Sequence, residues 1–158
     1  MVDSKTLQQR SESDRVSGYA VFGALFLVYL LTASLTFIGT DEWFLFDTAE
    51  SFARRGSVMR NITADLDWPG HTYVEPVLPL LSVPLILLAD NVRGIGVSHT
   101  ALLLNAVVTA ATGMVLFLYG RRLDYGRGVA IALALLFGMT TIAWPYSKNY
   151  FREPASGL

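Results

Sequence analysis

The sequence predicts an all-α integral membrane protein with three transmembrane helices and a long outer loop bearing interfacial helices. Three observations carry that prediction. Of the residues 53% are hydrophobic and only 16% charged, more apolar than a solvated domain of this size usually is. Three apolar runs reach about the length that crosses a bilayer. Between the last two runs lies a short loop rich in arginine, the mark of a cytoplasmic connection. The net charge of −1 argues against a nucleic-acid partner, since nothing neutralises a run of phosphates. The lack of cysteine removes disulfides, thiolate catalysis and most zinc sites.

The elements follow in order. Residues 1–17 form a polar tail, and its Lys5, Arg10 and Arg15 place the N-terminus in the cytoplasm. Residues 18–38, GYAVFGALFLVYLLTASLTFI, carry no charge and at 1.5 Å per residue reach about 31 Å, enough for a span. A signal peptide is the alternative, but its apolar region runs only about 7–15 residues and ends at a small-residue cleavage site. Residues 39–98 then form the outer loop. Residues 99–119 and 129–146 make the second and third spans, joined by the cytoplasmic loop 120–128, GRRLDYGRG. Residues 147–158 open a second outer loop.

Within the first outer loop, 41–55 reads as an interfacial helix. Thr40 or Asp41 caps it, Glu50 and Arg54 pair at i,i+4, and Gly56 ends it. Residues 77–89, VLPLLSVPLILLA, contain Pro79 and Pro84 and are short for a span, so they read as re-entrant or interfacial. Parity agrees: a full crossing at 77–89 would put the arginine loop outside. Trp43, Trp68, Trp144, Tyr146, Tyr150 and Phe151 suit an aromatic belt at the interface.

Several polar residues are candidates for chemistry. Asp41 and Glu42 follow the first span, where carboxylates either cap a helix or serve as a general base at a membrane site. Asp65, Asp67 and His71 in ADLDWPGH have a spacing that offers ligands to a divalent cation, or are ordinary solvated loop residues. Glu75 lies where the chain re-enters apolar sequence. His99 and Asn105 sit early in the second long span, where such side chains bond to neighbouring helices. Asn61-Ile62-Thr63 is a glycosylation sequon. No phosphate-binding glycine loop, nucleophile elbow or repeat is present.

In order and spacing, the first span, Asp41-Glu42, TAESFARRG, EPVLPLL, GRRLDYGRG and WPYSKNYFREP resemble the N-terminal part of a GT-C-fold glycosyltransferase. The nearest groups are polyprenyl-phosphate-sugar transferases of the protein O-mannosyltransferase and aminoarabinose transferase type, glycosyltransferase family 39-like. The resemblance covers residues 18–158. It implies a sugar moved from a polyprenyl-phosphate donor in the bilayer to an acceptor on the outer face of the cell membrane. It implies Asp41 and Glu42 as the catalytic pair, with Asp41 accepting a proton from the attacking group or orienting it. It implies Glu153 near the acceptor or the donor phosphate, and Glu75, Pro76 and Pro79 shaping the lipid-phosphate pocket. Lys148, Arg152 and His71 are further substrate-binding candidates, and a divalent cation is a possible cofactor. Members of the family are longer, so the resemblance implies that these residues are an N-terminal piece, inactive alone and completed by other membrane helices. A small non-catalytic membrane protein that packs against a larger partner is the alternative. A transporter ranks below both, because no span carries a charge in its apolar centre.

Overall fold

The computed structural model describes residues 4–58 and 74–157, and over these the chain is helical with no strand. The elements are α1 (Ser4–Leu31), α2 (Thr40–Arg55), α3 (Val77–Asn91), α4 (Val97–Arg122), α5 (Arg127–Thr140), α6 (Ala143–Tyr146) and α7 (Glu153–Gly157). Among the described residues two helical stretches, Gln8–Leu31 and Val97–Arg122, are long and apolar enough to cross a membrane. They run antiparallel, since Arg121 near the end of α4 pairs with Asp14 near the start of α1 at 2.8 Å.

Both ends of the first expected span move. The helix begins within the polar tail, because Asp14 bonds Arg121 and Arg10 bonds Asp124, each at 2.8 Å. These pairs tie the polar turns of α1 to the end of α4. At the other end α1 stops at Leu31 rather than at residue 38. Thr32 turns its hydroxyl back to the Val28 carbonyl, and Leu35 adopts a left-handed φ of 55° that reverses the chain. Phe37 thereby reaches the rings of Trp43, Phe46 and Tyr150.

The third expected span, 129–146, is divided. α5 has 14 residues, about 21 Å of helix, shorter than the roughly 30 Å hydrocarbon core. The hydroxyls of Thr140 and Thr141 bond back to the carbonyls of Leu136 and Phe137, and Thr141 takes an extended backbone. Its hydroxyl then accepts the amide of Ala143 at 3.1 Å and opens α6, where Pro145 has no amide to extend the α5 ladder. The segment expected at 77–89 within the outer loop is a regular helix of 15 residues, α3, with Pro84 inside it, packed on α2 and α4.

α2 begins one residue before the expected position, with Gly39 rather than Thr40 or Asp41 as its N-cap. Glu50 and Arg54 pair at 3.1 Å, and Arg54 also grips Asp90 of α3 through two nitrogens at 2.8 and 3.1 Å. Gly56, at φ 61°, closes the helix with its amide on the Phe52 carbonyl, a conformation that costs glycine little.

α4 is the hub, touching α1, α3, α5, α6 and α7. One core joins Val21, Leu25 and Tyr29 of α1 to Ala106, Ala110 and Phe117 of α4 and Ala130 and Ala134 of α5. The second joins Leu45, Phe46 and Ala49 of α2 to Leu78 and Ile86 of α3, Ala101 and Leu102 of α4, and Tyr150. In the first, Leu25 is pinched between two glycines. A Cβ at Gly113 would lie 2.4 Å from Leu25 Cδ1, and one at Gly138 would lie 2.4 Å from Leu25 Cδ2. Leu25 yields to a methyl at Gly113 by shifting toward Gly138, whereas a methyl at Gly138 also meets the buried Tyr29 hydroxyl at 2.8 Å and Leu25 Cδ1 at 3.0 Å, so Leu25 has no room to yield to both. Gly113→Ala is expected to cost about 1 kcal/mol, Gly138→Ala about 2 kcal/mol, and the double substitution about 4 kcal/mol or more. Unfolding in mixed micelles measures this, and strict additivity of the two costs would refute the pinch.

Candidate functional site

At the end of the bundle opposite the Asp14–Arg121 pair, three segments distant in sequence converge. They are the first turn of α2, the chain entering α3, and the stretch from Phe151 into α7. They enclose a cavity of about 250 Å3 lined by Asp41, Leu45, Val74, Glu75, Phe151, Arg152 and Glu153. Four of the residues singled out from the sequence, Asp41, Glu75, Arg152 and Glu153, thus share one cavity.

The positions follow from local structure. Asp41 is exposed in the first turn of α2, where the free amides of a helix start favour negative charge. Glu153 opens α7, with Pro154 in the turn where its missing amide costs nothing. Glu75 precedes Pro76, the N-cap of α3. Arg152 reaches across the cavity to form an ion pair with Glu75. Its guanidinium holds the Glu75 carboxyl below its ordinary value, and Glu75 in turn holds Arg152 in its charged form. Both side chains are more than half exposed, so the pair is open to exchange with a solute anion.

The acidic pair is split by its surroundings. While Asp41 faces the cavity, Glu42 is fully buried beneath it. Glu42 Oε2 accepts the amides of Ile38 and Gly39 at 2.6 and 2.8 Å, and Oε1 accepts the amide of Tyr150 at 2.6 Å. Both its oxygens are engaged by the backbone, so Glu42 is a clamp between the start of α2 and the turn that carries Arg152.

The same turn has two further anchors. The amide nitrogen of Asn105 donates to the carbonyls of Asn149 and Phe151, each at 2.7 Å. The expectation that Asn105 bonds a neighbouring helix is corrected: its partners are the turn beneath the cavity. Its Oδ1 is buried with no hydrogen-bond partner among the described residues. Tyr150 is fully buried, its hydroxyl bonded to Ser82 of α3, and burial pushes that hydroxyl well above its ordinary pKa. Tyr150 therefore belongs to the core and not to an interfacial belt. Asn105 was legible as a polar residue in an apolar run, whereas Tyr150 was legible only as an aromatic residue and Ser82 gave no signal.

Other candidates lie elsewhere. Lys148 does not line the cavity; its ammonium sits 4.7 Å from the centre of the Trp144 ring. His71, with Asp65, Asp67, Trp68 and the Asn61 sequon, falls outside the described residues. Among the described residues no group of three or more His, Asp or Glu side chains could hold a metal ion. The expected divalent cation thus has no ready cradle there, even though three carboxylates share the cavity.

A second cavity of about 250 Å3 adjoins the first along α4, α5 and α7. Phe137, Ile142, Ala143, Tyr146 and Pro154 make most of it apolar, and Glu153 borders both cavities. The site therefore pairs a charged chamber with an apolar one across a single carboxylate. Such a pairing suits an amphiphile whose charged group and hydrocarbon part need different surroundings. No protein-family model, curated protein or solved structure matches the chain.

Proposed function

We propose that the chain carries the outer-face site of a membrane glycosyltransferase of GT-C type, which moves a sugar from a polyprenyl-phosphate donor to an acceptor hydroxyl. One observation supports this reading above the others: Asp41, Glu75, Arg152 and Glu153 meet in a charged cavity that shares Glu153 with an apolar one. Under this reading the chain is a multi-pass protein of the cell membrane with its N-terminus in the cytoplasm. The concentration of arginines at the α1 start and α4 end supports that orientation. The exposed leucines of α3 and α5, such as Leu80, Leu88, Leu133 and Leu136, face lipid or further membrane helices that complete the groove.

In this reaction the acceptor oxygen forms a bond to the anomeric carbon while the bond from that carbon to the phosphate oxygen breaks. The acceptor proton passes to the Asp41 carboxylate. The polyprenyl phosphate leaves with the bonding pair, and single displacement inverts the anomeric centre. Arg152 meets the leaving charge once the phosphate has taken the place of Glu75 on its guanidinium. The polyprenyl chain lies along the apolar cavity. With three carboxylates to one guanidinium, the chamber favours a neutral acceptor near Asp41 and confines the anion to Arg152.

Binding tests the reading directly. The chain in nanodiscs, titrated with polyprenyl phosphate, is expected to bind it and to lose about tenfold in affinity with Arg152→Gln. Equal binding of uncharged polyprenol, or unchanged affinity in the variant, would overturn the assignment.

A further inference from the structure

At the far end of the bundle the first turns of α1 and the last turns of α4 enclose a cleft of about 300 Å3, lined chiefly by Arg10, Asp14, Arg15, Leu118, Arg121 and Arg122. Four guanidiniums face one carboxylate. That carboxylate, Asp14, is already engaged by Arg121 at 2.8 Å and lies 3.7 Å from Arg127. Arg10 is bound to Asp124 at the mouth. Arg15 and Arg122 are exposed and form no ion pair or hydrogen bond with the described residues. The cleft thus gathers more positive charge than its own acids balance, and two of its guanidiniums are available to an anion.

We propose that this cleft binds the phosphate headgroup of an anionic phospholipid. The proposal depends on α1 and α4 crossing the membrane, and it is separate from the glycosyltransferase reading. The surroundings favour a lipid over a free phosphate. Tyr19 lies one turn along α1 from Arg15 and Tyr119 one turn before Arg122 on α4, and both are exposed, as aromatic side chains at headgroup depth are. Leu118 lines the cleft itself, and exposed Val115 and Leu116 continue the apolar surface of α4 away from it. A phosphate between Arg15 and Arg122 would leave its acyl chains along that surface. The part-buried Asp14–Arg121 pair ties the two helix ends together at 2.8 Å, so the headgroup meets a preformed cleft.

The full chain, purified in detergent, is titrated with phosphatidylglycerol and with phosphatidylcholine, and the retained lipids are counted by native mass spectrometry. Phosphatidylglycerol is expected to be retained in preference. Arg15→Gln and Arg122→Gln are each expected to reduce its retention about fivefold. Helix content by circular dichroism should stay unchanged, since neither side chain supports the fold. Arg93→Gln, in the loop before α4 at the other end of the bundle, should leave retention unaltered. Equal retention of the two lipids, no effect of Arg15→Gln and Arg122→Gln, or an equal loss with Arg93→Gln would overturn the proposal. Millimolar inorganic phosphate should leave the bound lipid in place; displacement by it would assign the cleft to free phosphate and overturn the lipid.

Discussion

Glu42→Ala is expected to destabilise the protein by about 3–5 kcal/mol, since each buried backbone amide left without an acceptor costs about 1–3 kcal/mol. The substitution leaves the amides of Ile38, Gly39 and Tyr150, which its carboxyl now satisfies, without an acceptor. Glu42 and Tyr150 are fully buried, so water does not readily take the carboxylate's place at the Tyr150 amide. Glu42→Gln retains one carbonyl oxygen and sets an amide group against backbone donors on the other side, so about half the loss is expected. The denaturant midpoint in mixed micelles reads the effect. A cost below about 1 kcal/mol for the alanine variant would mean that the three amides find other acceptors. The damage should be greatest in the turn around Tyr150, and a protease cut near residues 147–152 should appear before global unfolding.

Asp41→Asn is expected to act in the opposite way, leaving stability within about 0.5 kcal/mol because the side chain is exposed. If Asp41 takes the acceptor proton, sugar transfer by native membranes should fall by about 10²–10⁴-fold, the usual contribution of a general base. Affinity for polyprenyl phosphate should hold, since Arg152 and the apolar cavity are untouched. Unchanged turnover would remove Asp41 from the chemistry. Glu42→Gln, compared alongside, separates the roles: it lowers activity only as far as it lowers the folded fraction.

The sequence made some of this legible. The i,i+4 pair of Glu50 and Arg54 and the terminating Gly56 are local signals, and α2 follows them closely. Thr140, Thr141 and Pro145 were equally visible, yet the continuous apolar run from 129 to 146 outweighed them; the helix breaks where those hydroxyls turn back on the carbonyls behind them. The extension of α1 into its polar tail was not legible, because it depends on Asp14 finding Arg121, 107 positions away. In the site, Asp41 and Glu42 looked alike as neighbours in the chain. Only the burial of one side of the first turn of α2 separates an exposed carboxylate from a clamp. The pairing of Arg152 with Glu75 spans 77 positions, and no local pattern announces it.

The bond from the Tyr150 amide to Glu42 closes a loop of 108 positions, and so it bears on the order of biosynthesis. A ribosome completes α1 and α2 long before it reaches Tyr150. Until then the Glu42 carboxyl lacks its third donor, and α2 lacks the ring that fills its packing surface. Contacts of such separation form late. The first turn of α2 therefore matures only after the segment carrying Arg152 has been made. The charged chamber cannot be completed before both halves of the bundle have been made, since Asp41 and Arg152 come from opposite ends of that loop.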